Sequence, residues 1–322
     1  MDLLTVMERA LETLSQSKSP GAVGGAAVED DVRVEAGEAE VFSVSLEWRS
    51  SGPRFVALDG SSRMFGSPNF RLFVASVAIY GVLDSRGPTR LFPSPGEGPL
   101  FAAKADEETL KALEEGLRGF VQVKDLKGRY FSRVSEEVVG DWFRGYLETL
   151  ALQRLEGADV ELAILDGPIY LPVSAFGDLA EFRVKTIGQL DVPVVGVVKR
   201  VGRSKLLCRA RELVEKFNVA FGDCNDEFLA YEILKGVRGP VAAVGPFKAV
   251  VVGHTLDKYA VEDRVFWYVY VKYAGRVYRV EALVSHRDGA EEFVKNMPLG
   301  VTGLPYMVEL VDKLARKHTA YI

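Results

Sequence analysis

Two aspartates stand where a ligand-binding carboxylate would be useful, each directly after an apolar segment and directly before a glycine. Asp59 ends the segment 54–59 and Asp166 ends the segment 160–166, and both segments are typical of buried strands. In open α/β sheets, ligands bind at the carboxyl ends of strands, and a following glycine lets the backbone turn sharply beside a ligand. Asp-Gly is also a common turn pair, but two such ends on apolar strands together favour a shared carboxylate site.

A pair of cations ends a third apolar segment. Lys199 and Arg200 follow the segment 194–198, so they occupy the same kind of position as the two aspartates. Acids and cations at neighbouring strand ends suit a divalent metal together with an anionic substrate such as a phosphodiester. The alternative is that Lys199 and Arg200 simply begin a solvated turn.

Two further acids lie on helical segments beside apolar stripes. Glu148 is followed at helical spacing by Ala151 and Leu152, so its carboxylate borders the buried side, where a charge is costly unless it is paired or binds a metal. An ion pair with Arg144, one turn earlier, is the alternative. Asp312 stands similarly on the last helix, and there a solvated helix face is the alternative.

The apolar patterning predicts the elements that would position these side chains. Strands or short β segments are expected at 32–48 (an edge strand or hairpin), 54–60, 70–83, 120–131, 160–167, 192–199, 242–253, 266–273 and 276–283, with a loop at 87–99. Helices are expected at 1–17, 106–117, 136–155, 173–190, 204–217, 226–234, 290–296 and 305–317. Strands in the N-terminal part of the chain, followed by strand–helix alternation, predict an α/β fold whose mixed sheet is flanked by helices. We expect residues 1–30 to be a helix and linker and 31–322 to be one domain with insertions.

Composition excludes several classes. The chain has 322 residues, of which 48% are hydrophobic and 26% charged, which is typical of a globular protein. No apolar run reaches the ~18 residues of a membrane helix, and the first residues lack a basic-then-apolar signal pattern, so we expect a cytoplasmic protein without a membrane segment. A net charge of −5 argues against a nonspecific polycation and leaves room for a local basic groove. Two cysteines and three scattered histidines do not suggest a disulfide scaffold or a zinc site, so a metal would sit on carboxylates, which favour Mg²⁺ or Mn²⁺.

The four acids occur in the order found in ribonuclease-H-like nucleases: a strand end, a helix, a later strand end and a C-terminal helix. There, converging carboxylates hold two divalent ions against the scissile phosphate. Over residues 50–318 the chain resembles the NurA nuclease family. The resemblance rests on short motifs in matching order, namely VALDGSSR at 56–63, LE at 147–148, LDG at 165–167, VGVVKR at 195–200, YRVE at 278–281 and GLP at 303–305.

This resemblance implies a ribonuclease-H-like core with a β-rich and helical extension, and cleavage of DNA that depends on Mn²⁺ or Mg²⁺. It also implies a homodimer that works with a HerA-type hexameric translocase in DNA end resection and repair, as a 5′-to-3′ exonuclease and/or a single-strand endonuclease. The residues implied for metal binding and catalysis are Asp59, Glu148, Asp166 and Asp312, with Lys199 as a further catalytic residue. The residues implied for DNA binding are Arg63, Lys199 and Arg200.

One motif departs from the family pattern. The family has a tyrosine before the proline and a histidine eight residues after that tyrosine, whereas this chain has Leu304 and Asp312 at those positions. Because aspartate is a competent metal ligand, activity with an altered metal geometry is one expectation. The alternative is a diverged, non-enzymatic subunit that binds DNA ends or the translocase. Tyr306, two residues further on, would be turned ~200° away on the helix.

A nucleotide-binding alternative starts from the segment 196–204, which superficially resembles a phosphate-binding loop. Gly196 and Gly202 have five residues between them, and Arg203 stands where the loop lysine should be. Both features break the Walker pattern, so phosphotransfer is disfavoured against the nuclease hypothesis.

Overall fold

The protein is described by a computed structural model that covers eleven ranges of the chain. They are 3–16, 31–35, 39–44, 54–81, 89–94, 96–171, 173–216, 224–252, 265–296, 299–300 and 302–321. Residues 17–30, which include most of the linker expected within residues 1–30, lie outside these ranges.

The described residues form one twelve-stranded sheet and eight α-helices. The strands are β1 (Asp31–Glu35), β2 (Glu40–Ser43), β3 (Phe55–Ser67), β4 (Phe70–Gly81), β5 (Thr89–Phe92), β6 (Phe101–Lys104), β7 (Val121–Gln122), β8 (Leu162–Asp166), β9 (Val194–Val198), β10 (Val241–Val252), β11 (Val265–Tyr273) and β12 (Arg276–Leu283). The helices are α1 (Leu3–Leu14), α2 (Glu107–Gly116), α3 (Glu136–Gln153), α4 (Val173–Gln189), α5 (Arg211–Lys216), α6 (Asp226–Leu234), α7 (Arg287–Asn296) and α8 (Tyr306–Tyr321).

The centre of the sheet has ribonuclease-H-like topology. The strand order is β6-β4-β3-β8-β9, in which β4 is antiparallel to both of its neighbours. Strands β3, β8 and β9 are parallel to one another, and parallel neighbours need crossover connections. Helix α3 precedes β8 and helix α4 connects β8 to β9. The expected α/β fold with a mixed, helix-flanked sheet is therefore confirmed.

The extension beyond this core is antiparallel. Strand β12 pairs with β9, β11 with β12 and β10 with β11, while β1 and β2 both pair with β10. The hairpin of β11 and β12 turns at Ala274 and Gly275, which both have positive φ (49° and 77°). Positive φ at both positions is what a two-residue hairpin turn that matches the strand twist requires.

The two faces of the sheet carry different helices, because side chains alternate along each strand. Val56 and Leu58 pack with apolar residues of α3, α4 and α6 on one face. Phe55 and Ala57 pack with apolar residues of α7 and α8 on the other. We call these the α3 face and the α8 face. Helices α1 and α2 form a smaller core against β4 and β6.

Two details of the predicted elements are wrong, and a third, left open between two alternatives, is decided by the structure. The segment 87–99 is not all loop, because residues 89–92 form β5 against β4 and the surrounding prolines hide so short a strand. The segment 204–217 is not one helix; a short 3-10 helix at 207–209 precedes α5, and the backbone N–H of Leu207 donates to the Asp226 carboxylate (2.8 Å). For the segment 32–48, the structure shows the edge-strand alternative rather than the hairpin, since β1 and β2 each pair with β10 and not with each other.

Two features bear on the class of protein. Cys208 and Cys224 form a disulfide, a single bridge that the cysteine count did not reveal. None of the helices in the described part of the chain has the length and apolar character that crossing a membrane requires.

Candidate metal centre

The strand register brings Asp59 and Asp166 side by side. Strands β3 and β8 are parallel neighbours with Leu58 opposite Leu165, so the next residue of each strand points to the opposite, α8 face. Val197 of β9 lies opposite Asp166, and Lys199, two residues later, returns to the same face. The three strand ends that carried chemistry in the sequence thus meet at one edge.

Helix α8 delivers the third carboxylate. It packs across β3, where the Ser61 and Thr319 hydroxyls are 2.8 Å apart, and it places Asp312 over the strand ends. One carboxylate oxygen of each of Asp59, Asp166 and Asp312 lies within 4.8 Å of the other two. We call these three residues the acidic cluster.

The Lys199 ammonium sits inside this cluster. Its Nζ lies 2.5 Å from Asp166 Oδ2 and 3.2 Å from Asp312 Oδ1. Arg316 pairs with Asp312 from the exposed side at 3.0 Å. Asp59 is only 7% exposed, and among the described residues it accepts no hydrogen bond. The half-buried Lys199 therefore pairs with two of the three carboxylates, and Asp59 has no ion pair among the described residues.

Burial and the closeness of the carboxylates to one another raise the pKa of two of the acids. Burial, together with the neighbouring carboxylates of Asp166 and Glu148, raises the pKa of Asp59 to about 9. Burial also raises the pKa of Asp166, to about 6, against the opposing effect of Lys199. Burial alone would lower the pKa of Lys199, but Asp166 and Asp312 outweigh it and raise that pKa. A protonated Asp59 is what a buried carboxylate becomes when no cation is close enough to compensate it.

Glu148 lies near the cluster but does not join it. It projects from α3, on the other face, and its Oε2 accepts a hydrogen bond from Arg183 at 2.7 Å. Its Oε1 lies 3.9 Å from Arg144 Nε, so the expected pairing with Arg144 is the longer of its two ion pairs. A Cβ added at Gly60 would meet that same oxygen at 2.6 Å. The glycine after Asp59 thus lets α3 approach β3, and a role for Glu148 as a metal ligand stays a prediction.

The other residues singled out from the sequence lie outside the acidic cluster. Arg63 and Arg200 are exposed, Arg63 being four residues beyond Asp59 on β3, which is about 13 Å along a strand. Leu304 is buried among the apolar residues of the α8 face, so it fills core space. Tyr306 begins α8 and is 50% exposed.

Sequence reasoning missed two buried polar residues behind the cluster, Arg183 and Glu281. Arg183 could have been noticed because it stands four residues from Leu179 and four from Ile187, on the apolar stripe of α4. Glu281 belongs to a motif used for the family resemblance, but its strand pattern gave no reason to assign it a role.

The donor set of the acidic cluster fits a hard divalent cation. Three carboxylates from three different elements converge, with no histidine or cysteine among them, and oxygen donors of this kind favour Mg²⁺ or Mn²⁺ over Zn²⁺. The raised pKa values of Asp59 and Asp166 are those of carboxylates that a bound cation would stabilise. The fold and the site together define a ribonuclease-H-like protein with a carboxylate centre suited to divalent metal.

Comparison with known proteins identifies the family. The sequence matches the NurA domain over residues 53–316, most of its length, and the chain belongs to the NurA nuclease family. No curated protein matches the sequence.

Among solved structures, the chain is similar to the NurA nuclease from Sulfolobus solfataricus, with 12% identity, coverage of 87% of this chain and 85% of that one, and a TM-score of 0.49. It is also similar to a NurA crystal structure with manganese, with 6% identity, coverage of 99% and 95%, and a TM-score of 0.48. A structure of NurA bound to dAMP and manganese has 9% identity, coverage of 84% and 86%, and a TM-score of 0.45.

Proposed function

We propose that this chain is a divalent-metal-dependent deoxyribonuclease that holds Mn²⁺ or Mg²⁺ with Asp59, Asp166 and Asp312 and hydrolyses phosphodiester bonds in DNA. One observation carries the proposal: three carboxylates from β3, β8 and α8 meet within 4.8 Å, with one half-buried ammonium that pairs with two of them. A structural cluster would be compensated by hydrogen-bond donors, because buried charges that serve stability are normally paired. Membership of the NurA family supports the same activity.

The metal, when bound, would activate a water molecule and neutralise charge on the scissile phosphate. The chain's own residues would prepare the site. Asp59 would bind the metal as a carboxylate, although burial and the neighbouring carboxylates raise its pKa in the metal-free protein. Lys199, which pairs with Asp166 and Asp312 in the metal-free protein, would bind a phosphate oxygen. Arg63 and Arg200 are the exposed cations proposed to hold the DNA backbone on either side.

Glu148 is proposed to add negative charge behind the cluster. Its Oε1 faces the Asp59-Gly60 strand end, and its charge contributes to the raised pKa of Asp59. Direct binding of a metal by this oxygen is part of the proposal, since Arg183 holds the other oxygen and leaves Oε1 directed towards β3.

The assembly and cellular role follow from family membership alone. We propose a cytoplasmic homodimer that acts with a HerA-type hexameric translocase in DNA end resection and repair. Its activity would be that of a 5′-to-3′ exonuclease and/or a single-strand endonuclease.

The test is a degradation assay on DNA labelled at either the 5′ or the 3′ end, single-stranded and double-stranded, with Mn²⁺, Mg²⁺ or chelator, with and without the translocase. We expect degradation with Mn²⁺ or Mg²⁺ that chelator abolishes, and the released labelled fragments give the polarity. Asp159, 82% exposed on the surface, provides the matched control in Asp159→Asn. Tight DNA binding with no cleavage under any metal would favour the non-enzymatic subunit instead.

A further inference from the structure

The loop that follows Asp166 is held by buried side chains from two sides. Arg183 Nη1 donates a hydrogen bond to the Pro168 carbonyl at 3.2 Å. The backbone N–H of Ile169 donates to Glu281 Oε1 at 2.5 Å. Neither contact is part of the helices or of the sheet, so neither is needed to satisfy regular backbone pairing. Both act on the three residues that directly follow a member of the acidic cluster.

The same loop rests on the strand beneath it. A Cβ added at Gly196 would lie 2.6 Å from the Gly167 carbonyl oxygen and 3.0 Å from the Ile169 nitrogen. Such distances are too short for a side chain, so the loop packs directly on the β9 backbone. Glu281 lies opposite Gly196 on the neighbouring strand β12, which allows its carboxylate to reach the loop across a position that has no side chain.

Arg183 connects this loop to the other carboxylate strand. Its side chain is 1% exposed and donates to Gly145 O at 2.8 Å, Thr149 Oγ1 at 3.1 Å and Glu148 Oε2 at 2.7 Å. Glu148 in turn packs against Gly60, the residue after Asp59. One guanidinium therefore links the chain just after Asp59 to the chain just after Asp166.

Glu281 is held from its other side. Arg279 Nε donates to Glu281 Oε2 at 2.9 Å. Arg279 Nη1 reaches Ser204 Oγ at 3.0 Å and lies 3.5 Å from Asp226 Oδ2. Because both oxygens of Glu281 are engaged, its carboxylate has a fixed direction when it meets the Ile169 N–H.

We infer that Arg183 and Glu281 are positioning residues, which fix the loop 167–169 and thereby the place of Asp166 in the acidic cluster. Neither belongs to the acidic cluster itself. Partners of this kind behind a metal ligand commonly change metal affinity 10- to 100-fold when they are lost. The consequence for metal binding rests on the proposed function, whereas the fixing of the loop 167–169 by Arg183 and Glu281 does not.

The experiment compares the metal-free and Mn²⁺-loaded full chain in four forms: wild type, Arg183→Met, Glu281→Gln and Val184→Ala. Val184 is buried on α4 beside Arg183, so its truncation controls for a general loss of stability. Amide hydrogen exchange at Ile169, read by NMR in the metal-free protein, should be at least about 10-fold faster in Arg183→Met and Glu281→Gln than in Val184→Ala. Mn²⁺ affinity, read by electron paramagnetic resonance, should fall about 10- to 100-fold in the same two variants.

The outcomes separate the two proposals. Wild-type exchange at Ile169 in folded Arg183→Met and Glu281→Gln overturns the inference, and so does faster exchange with unchanged Mn²⁺ affinity. Equal effects in Val184→Ala overturn it as well. Should Arg183→Met not fold, Arg183→Lys and Glu281→Gln decide by the same readouts. A wild type that binds no Mn²⁺ contradicts the proposed function. In that case, exchange at Ile169 alone tests whether Arg183 and Glu281 fix the loop 167–169.

Discussion

Two regions of this molecule bring acids together on opposite faces of the sheet, and the two regions differ in how the negative charges are compensated. On the α3 face, both oxygens of Glu281 and both of Asp226 accept hydrogen bonds, from Ile169, Arg279, Leu207 and Tyr270. On the α8 face, the half-buried Lys199 pairs with Asp166 and Asp312, the exposed Arg316 also pairs with Asp312, and Asp59 has no ion pair among the described residues. We call the first region the paired network, with Glu148 and Arg183 as its other ion pair.

The difference separates charges that support the fold from charges that, in the proposed function, would bind a metal. A buried carboxylate with a full set of donors keeps its charge at little cost, whereas one without donors is protonated or destabilises the protein. The paired network connects α3, α6 and β12 to the loop after β8. The acidic cluster has fewer cations and hydrogen-bond donors than carboxylates, and it lies where β3, β8 and α8 meet. Converging carboxylates with uncompensated charge are what a metal site requires. Each prediction below breaks or sharpens this contrast.

The largest effect is expected from neutralising the acidic cluster. Asp59→Asn and Asp166→Asn should each lower metal-dependent DNA degradation by at least about 10³-fold, because each removes a ligand charge from a site where the metal supplies most of the transition-state stabilisation. The measurement is the initial rate on end-labelled DNA, with far-UV circular dichroism to show that the fold is intact. Full activity in either variant would contradict the assignment, and Asp159→Asn should behave as wild type.

The next effect concerns stability and the paired network. Arg279→Met should lower the free energy of unfolding by about 3–5 kcal/mol, since it leaves Glu281 and Asp226 buried without their cation. Urea unfolding followed by circular dichroism gives the value. The matched variant Arg287→Met removes a partly exposed ion pair with Glu291 and should change stability by less than about 1 kcal/mol. Equal losses in the two variants would remove the contrast.

Neutralising Asp59 should stabilise the metal-free protein. Its pKa is about 9 in the folded protein and about 3.9 when unfolded, so the folded state binds the proton more tightly. The free energy of unfolding contributed by this group is therefore fully present below about pH 4 and falls as the pH rises towards 9. Asp59→Asn should lack this decline and exceed wild type at pH 8 by at least about 1–2 kcal/mol. Thermal unfolding from pH 4 to 9 measures it, and a variant less stable than wild type at pH 8 would refute the interpretation.

The smallest effect is expected from Lys199. Because its ammonium occupies the cluster and repels an incoming cation, Lys199→Gln should bind Mn²⁺ about 3- to 10-fold more tightly, a change of roughly 1 kcal/mol. It should also lower the Tm of the metal-free protein and slow DNA cleavage, since a phosphate contact is lost. Isothermal titration calorimetry gives the affinity. Weaker Mn²⁺ binding in Lys199→Gln would mean that Lys199 supports the metal rather than competing with it.

Features of the fold and the site that depend on neighbouring residues could be predicted from the sequence, whereas features that depend on contacts between distant parts of the chain could not. The Asp-Gly strand ends and the strand–helix alternation are local patterns, so the mixed sheet and the choice of Asp59 and Asp166 as candidates could be predicted from the sequence. Asp312 could be chosen from its residue type and its position on a helix. Its approach to the strands, however, depends on how α8 packs across β3.

The rest depends on contacts that no local pattern encodes. Glu148 borders an apolar stripe whether it binds Arg144, Arg183 or a metal, so its partner could not be chosen from the sequence. The Lys199 ammonium was predicted near a phosphate, whereas its position among the carboxylates follows from the register of β8 and β9. Glu281 reaches Ile169 across 112 residues of chain, a separation that sequence periodicity does not report.

The most direct test is a crystal structure of the wild-type protein soaked with Mn²⁺, with anomalous diffraction data to locate the metal. We predict a manganese peak bounded by carboxylate oxygens of Asp59, Asp166 and Asp312, with the Lys199 ammonium moved away from Asp166. A saturating soak that leaves the Lys199–Asp166 contact in place, with no peak among the three carboxylates, would contradict the account.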